Sequence, residues 1–573
     1  MSGAAGALSP PARRSTLRGL LALSRPWLAE PRTMGAILLL LVLTSLQTGL
    51  AVASNIWSAS LFDALDARDA GGLWLVAGQF LLLLAGIVTV NAGHMVVRRS
   101  ATLSWRRALT TQLLARWLDH GRHWRIGQIP GSPDNPDGRI AEDIRIATEA
   151  AMDLATSLFF SVTLLISFTG ILWSLSGDVE LFGVSIPGRM VWLSLIYAAG
   201  GAVVAFVIGR PLTRWTELRQ RAEADLRFGM ARVREHEEEL AVARGEAAAR
   251  GDLLRRFAAL ALTWRRQTVG LVNLAAFQSA FVTVAPVLPL LVAAPRYLAG
   301  RLSLGELMQL SLGFQQVVAA LAWPVDNAAR LAEWRASADR VLLLAEAVEH
   351  AEATPGGIRI EEDGAAMVLD AVTLSTPEGV PLTGPLQARL PPGTHVGVVG
   401  DPRAVRALFL AVSGLWLWGD GRIGLPFGHR LAVLPRRPWL PAMSLARLLG
   451  PPAGTSHEVL TAVLNSVGLA RLVPQLEQTP DWDAVLDDSE RLRLAFARVV
   501  LARPGIVLLA DMAGILGEEE LRRLIGLLLL AIPHAIVLSA DAGAAEAEIR
   551  LDPPDADDAA SDDAPRAPAK SPR

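Results

Sequence analysis

Residues 396–421 read VGVVGDPRAVRALFLAVSGLWLWGDG: an apolar run closing at Gly400, a short loop, then the helix-like RALFLAVSGLW. Strand, loop and helix in that order form the skeleton of a phosphate-binding loop, where close-set backbone amides and a lysine neutralise a polyphosphate. Past Gly400 this loop has neither a further glycine nor a lysine. Lys570 is the only lysine in the chain, so a mechanism that needs a lysine amine has no residue to use. Cysteine is absent altogether, which removes disulfides, thiolate metal sites and thiol chemistry. The sequence accordingly assigns no catalytic residue and no metal ligand.

The elements that must position such a loop sit in a chain of 573 residues, of which 51% are apolar and only 19% charged. That balance fits a membrane part joined to a soluble part. A net charge of −2 gives no basis for bulk nucleic-acid binding. The first thirty residues are basic and lack the short apolar core of a signal peptide. Apolar runs long enough to cross a bilayer fall at 34–56, 73–94, 154–176, 189–209, 268–294 and, more polar, 304–325. The connections after the second and fourth runs are long and arginine-rich, with nine arginines in 98–146 and thirteen in 210–266. The first short loop, LFDALDARDAGG, is acidic, whereas the third carries Arg296 and Arg301. This asymmetry predicts a multi-pass protein with both termini in the cytoplasm. In the first long connection Asn135 is expected to cap a helix that opens on Pro136 and Asp137 and continues into the membrane run. About forty residues at about 1.5 Å each give a stalk reaching about 60 Å, twice the hydrocarbon thickness.

After AEATPGG the pattern changes to short apolar strands, AAMVLDAVTL, THVGVVG, HRLAVLP, GIVLLAD and HAIVLSA, with the helical HEVLTAVLNSVGL and ERLRLAFARVVLAR between later ones. The alternation predicts a mostly parallel sheet covered by helices. The expected organisation is a basic N-terminus (1–30), a six-helix membrane domain with cytoplasmic extensions (31–345), an α/β domain of nucleotide-binding type (355–548) and an acidic tail (549–573) predicted to be disordered.

Six spans, long stalks and a C-terminal α/β domain together resemble an ABC half-transporter. The stretches NPDGRIAEDI, EADLRFGMARVREHEEELAVARGEAAA, VLPLLVAAPRYLAGRLSLGELMQ and DNAARLAEWRASADRV are similar to the bacterial fused permease–ATPase relatives of the peroxisomal fatty-acyl transporters. Relatives of the same membrane fold without an ATPase domain take up antimicrobial peptides. The resemblance spans nearly all of residues 30–540. It singles out Arg139, Glu142 and Asp143, then Glu223, Asp225 and Arg227, then Glu333 and Arg335 as membrane-domain motif residues. It implies a dimer of halves in the inner membrane of a bacterium, ATPase domains face to face, with ATP and magnesium as cofactors.

Against the family's G-x-x-G-x-G-K-S/T loop, however, only Gly400 remains. Arg403 or Arg406 supplies charge without being a lysine, Ala407 offers no hydroxyl for magnesium, and Pro402 removes an amide. Arg436 stands where a glutamine is usual. The signature reads DDSE, keeping Glu490 but placing Ser489 at the glycine and Asp487 before it. IVLLADMAG gives Ala510 and Asp511 in place of Asp-Glu, and the usual histidine falls at Asp541 or Ala542. The loss of every element predicts a site that does not hydrolyse ATP and leaves no cofactor in force.

Polar residues within the spans are transport-path candidates: Asn55, Asn91, His94, Gln309, Gln315 and Gln316, with Glu306 and Asp326 as proton acceptors. Three functions stay open. One is a transporter of a bulky amphipathic or hydrophilic solute, driven by a proton gradient. The second is the non-catalytic half of a heterodimer with a competent ABC partner, and the third a membrane scaffold or regulator.

Overall fold

The computed structural model describes residues 16–552 except 130, 177–178, 182–183, 187, 354–355, 453, 541–544 and 546. The chain divides into two compact units: Arg14–Gln112 with Asp137–Leu342, and Leu113–Pro136 with Leu343–Arg573.

The first unit is helical. After two short helices come α1 (Pro31–Asp66), α2 (Ala70–Leu118), α3 (Ile144–Ser176), α4 (Arg189–Glu235), α5 (Glu246–Leu298), α6 (Leu304–Asp326) and α7 (Ala328–Ala353). Five stretches are long and apolar enough to cross a membrane: Pro31–Asp66, Ala70–Ile126, Pro136–Ser176, Arg189–Glu235 and Glu246–Leu298. Their outer faces expose Trp74, Leu82, Ile196 and Leu291, a density of bare apolar groups that suits lipid rather than water. The sixth expected span is the helix α6, but it falls short of the apolarity of the other five. Its position explains the difference. Leu310, Ser311, Phe314 and Val317 are buried against Phe168 and Leu172 of α3 and Met190 of α4, so neighbouring helices rather than lipid surround it.

Local chemistry fixes where α6 starts. Ser303 accepts the Glu306 amide at 3.0 Å while the Glu306 carboxylate accepts the Ser303 amide at 2.9 Å, a reciprocal cap that satisfies two otherwise free donors. Gly305 lies so close to α1 that a Cβ would run into the Ala59 carbonyl and the Asp63 carboxylate, and its amide donates to Asp63 at 2.8 Å. The stalk leading into α3 begins at Pro136, as expected. Asn135 is not in the extended conformation usual for a cap but left-handed, at φ 50°. A π-helical turn, Arg139–Asp143, then leads into α3. The second long connection is a helical hairpin, with α4 and α5 extended towards each other around a short helix at Glu237–Val242.

The second unit is an α/β domain. Its strands are β1 (Ile358–Glu362), β2 (Met367–Leu374), β3 (Leu386–Leu390), β4 (His395–Gly400), β5 (Gly419–Leu425), β6 (Leu431–Leu434), β7 (Ile506–Leu509), β8 (Ile536–Ser539) and β9 (Ala547–Leu551). A five-stranded parallel sheet runs β9-β4-β8-β7-β6 and a four-stranded sheet β1-β5-β2-β3. β7 and β8 are buried along their whole length, consistent with helices covering both faces. The last strand runs to Leu551, past the expected boundary at 548, because β9 pairs with β4 in register Leu551↔Gly400. Helices α8 (Pro402–Val412), α9 (Asp488–Ala502) and α10 (Glu518–Ala531) are the longest packed on the sheet together with His457–Ser466.

Residues 113–136 belong to this unit. Trp124 lies 6.1 and 6.4 Å from the rings of Trp416 and Trp418, which meet each other edge to face at 5.1 Å. Glu352 accepts from Arg116 at 2.8 Å and lies 3.0 Å from Arg122. The Arg116 guanidinium, helped by Arg122, holds the Glu352 carboxyl below its ordinary range.

Candidate functional site

The strand-loop-helix at Gly400 folds as expected, but almost no loop remains. β4 ends at Gly400 and α8 begins at Pro402, so Asp401 alone joins them. The Asp401 carboxylate accepts the Arg403 amide at 2.8 Å. A helix N-terminus of this kind ordinarily receives an anion through free amides and the helix dipole. Here the chain's own carboxylate sits on it. Ala404 and Ala407 are buried beneath the first turn, and Arg403 and Arg406 are exposed. Gly400 has its own packing reason to be small, since a Cβ there would lie 2.7 Å from the Leu551 carbonyl oxygen and 2.8 Å from its Cβ.

The signature-like helix α9 repeats the device. Asp487 caps it, accepting the Glu490 amide at 2.8 Å, and the Glu490 carboxylate accepts the Asp487 amide at 3.3 Å. Both Glu490 oxygens are also taken by the Arg471 guanidinium, which raises the Arg471 pKa further. Ser489 is half-buried beside them. Arg436, after β6, and Asp511, after β7, are exposed, and the Ala510 amide is used by the Leu434 carbonyl at 3.0 Å. The expected histidine position, 541–542, lies outside the described residues. Among the described residues no group of three histidine, aspartate or glutamate side chains is placed to hold a metal ion.

In the helical unit a cavity of about 740 Å³ brings together Asn55 of α1 with Asn91 and His94 of α2, and adds Gln316 of α6. Asn55 is 4% exposed; its amide nitrogen donates to the Gln309 carbonyl at 3.2 Å, while its oxygen is unpartnered. His94 Nε2 is also without a partner, and Gln47 donates to Asn91 at 2.8 Å. The cavity also holds a triad that sequence reading missed. Asp153 of α3 accepts from Arg98 at 2.7 Å and from Arg330 at 2.8 Å. A signal for it was present: Asp153 is the only charged residue between 150 and 176. Phe160 and Phe168 complete an amphipathic lining.

The other path candidates lie elsewhere. Gln315 and Asp326 line a second cavity of about 510 Å³ with Phe277 and Phe281, and Gln316 borders both. Gln309 contributes its backbone to Asn55. Glu306 is committed to the cap of α6, which leaves its carboxylate a structural partner rather than an open acceptor.

The family-motif residues divide in the same way. Asp143, with a side chain only 10% exposed, receives the Arg340 fork at 2.5 and 2.8 Å, and buried Arg139 donates to the Arg340 carbonyl at 3.1 Å. Glu142 pairs with Arg145 at 3.8 Å. Glu223 is half-buried, whereas Asp225, Arg227, Glu333 and Arg335 are exposed; the Asp225 carbonyl accepts from Arg256 at 3.1 Å and Arg335 lies 3.8 Å from Asp339. Arg340, central to the first cluster, was not among the expected residues.

A profile of the ABC transporter transmembrane region 2 family matches residues 26–298. The chain is 27% identical to an uncharacterized ABC transporter ATP-binding protein of Haemophilus influenzae, over 88% of this chain and 85% of the relative. It is 27% identical to the inner membrane ABC transporter ATP-binding protein YddA of Escherichia coli, over 91% and 95%. It is 23% identical to the human lysosomal cobalamin transporter ABCD4, over 87% and 88%. Five lipid-facing helices, a matching membrane region and relatives aligned along nearly their whole length make this chain a multi-pass membrane protein of the ABC transporter transmembrane region 2 family, built as an ABC half-transporter.

Proposed function

We propose that the chain is one half of a dimeric transporter of the bacterial inner membrane, with both termini cytoplasmic, and that its α/β domain neither grips a triphosphate in the usual manner nor splits it. One observation carries this reading: the two helix ends where the resemblance would place phosphates, those of α8 and α9, are capped by Asp401 and Asp487 of the chain itself. An incoming polyphosphate would have to displace both carboxylates and then meet no lysine, no magnesium hydroxyl and no base beside Asp511. Gly400, Arg403, Arg406, Arg436, Ser489, Glu490 and Asp511 are on this reading remnants, kept for folding. Residues 31–345 act as the membrane domain, and the α/β domain, extended from 355–548 to Asp552, serves packing and dimer contacts.

The transported solute enters the cavity of Asn55, Asn91 and His94, whose amides, imidazole, ion triad and phenyl rings suit a bulky amphipathic or hydrophilic molecule. A relative named as a cobalamin transporter supports a solute of that size. His94 and Asp153 are the titratable groups of this cavity and the ones to couple solute movement to a proton gradient. Arg139, Asp143 and Arg340 hold the stalk in place.

The preserved capped fold of α9, with Glu490 at its first turn, favours one second reading, a heterodimer in which this helix faces a competent partner's loop. Uptake into proteoliposomes containing the purified chain tests both. The proposal expects flux abolished by a protonophore and indifferent to ATP. Flux that requires ATP and a co-purified second half would establish the heterodimer instead, and no flux in either case would leave a scaffold.

A further inference from the structure

Four arginines border one edge of the five-stranded sheet without partners. Arg403 and Arg406 lie on the first turns of α8, after β4, and Arg436 and Arg437 follow β6. All four are exposed, and none has an ion pair or side-chain hydrogen bond among the described residues. β4 and β6 are three strand spacings apart in the order β9-β4-β8-β7-β6, about 15 Å. Two acids share the edge: Asp401, already engaged by the Arg403 amide, and Asp511. Asp541, which follows β8, lies outside the described residues.

The chain leaves the fold at the same edge. β9 ends at Leu551 opposite Gly400, and the Asp552 carbonyl accepts the Gly384 amide at 3.2 Å. Beyond it the sequence PPDADDAASDDAP carries Asp555, Asp557, Asp558, Asp562 and Asp563, with no basic residue before Arg566. Eleven residues, from Asp552 to Asp563, extend to at most about 36–40 Å. That is more than twice the span from β4 to β6.

We propose that residues 555–563 lie across this edge in the same subunit, their carboxylates pairing with Arg403, Arg406 and Arg436 where the resemblance would place nucleotide phosphates. The proposal rests on the reading of this edge as free of nucleotide, but its test measures only the tail; ATP turnover would refute the reading by a separate route. Exposed ion pairs are individually weak, so the contact depends on their number and is labile to salt, as the screening length falls from about 8 Å at 0.15 M to about 3 Å at 1 M.

The absence of cysteine allows clean spin labelling of the full chain in nanodiscs. Labels at Pro435→Cys and Ala560→Cys, in protein diluted with excess unlabelled chain, should give a main distance below about 25 Å at low salt, set by the width of the sheet edge. That population should disperse to longer distances in 1 M salt, in R403Q/R406Q/R436Q, and in a variant with the five tail aspartates changed to Asn, which leaves the folded domain untouched. A broad, long distribution at low salt that none of these changes alters would overturn the proposal. So would a short distance that disappears on dilution, since it would put the tail on a partner copy.

Discussion

Replacing Asp401 separates its two roles at the N-terminus of α8. Asn is as good a cap as Asp, so Asp401→Asn should keep the bond now made to the Arg403 amide at 2.8 Å and remove only the charge. Asp401→Ala removes both. The cap is worth about 1 kcal/mol and the charge on the helix dipole about 0.5 kcal/mol at an exposed end. Asp401→Ala should therefore destabilise the α/β domain by about 1–2 kcal/mol and Asp401→Asn by about 0.5 kcal/mol. Hydrogen exchange at the amides of residues 403–405 localises the effect: faster in Asp401→Ala, nearly unchanged in Asp401→Asn. Removing a carboxylate about 4 Å from an incoming anion relieves about 1 kcal/mol in high dielectric. Weak binding of inorganic tripolyphosphate should then tighten by about fivefold in Asp401→Asn, without magnesium-dependent ATP hydrolysis appearing. Equal exchange and equal tripolyphosphate affinity in all three proteins would refute the assignment of this helix end to the aspartate.

Gly305→Ala should loosen the contact between α1 and α6, since the added methyl meets the Ala59 carbonyl, which cannot move aside cheaply; we expect a loss of about 1–3 kcal/mol, seen as a lower unfolding temperature in detergent. Arg340→Ala strips the buried Asp143 of its fork and should cost about 2–4 kcal/mol by the same measurement, with Arg340→Lys recovering only part. The Glu352 carboxyl is held below its ordinary value of 4.5 in the folded protein. Its contribution is therefore complete above that value and lost as pH falls through the depressed one, so Glu352→Gln should flatten the acid limb of stability followed by tryptophan fluorescence. In the membrane cavity Asp153→Asn leaves Arg98 and Arg330 without their shared acceptor, and solute uptake should drop at least tenfold while the protein remains in the membrane.

Much of this architecture is legible in the sequence. β2, β4, β6, β7 and β8 are short apolar runs between turns, and buried parallel strands leave that mark. β1, β3, β5 and β9 were not, because IRIEE, LQARL, GDGRIGL and AEIRL carry charges on half-exposed strands that resemble loop. The weak hydropathy of α6 reflects helices rather than lipid around it. Asn55, Asn91 and His94 stood out as polar groups in apolar runs, whereas Arg98 and Arg330 lie at helix ends, where charge was counted towards orientation. Glu306 was mistaken for an open acid although Ser303-x-x-Glu306 is a capping pattern visible in the sequence. Asp401-Pro402 is likewise a helix start as much as a broken phosphate loop, and only the pairing of β9 beside Gly400 explains why the glycine stays.

ATP turnover by the purified full-length chain in nanodiscs, with and without magnesium, tests the central claim most directly. The account predicts phosphate release no greater than that of empty nanodiscs at any nucleotide concentration. Robust magnesium-dependent release that disappears in Asp511→Asn would contradict it and return a working motor to this transporter half.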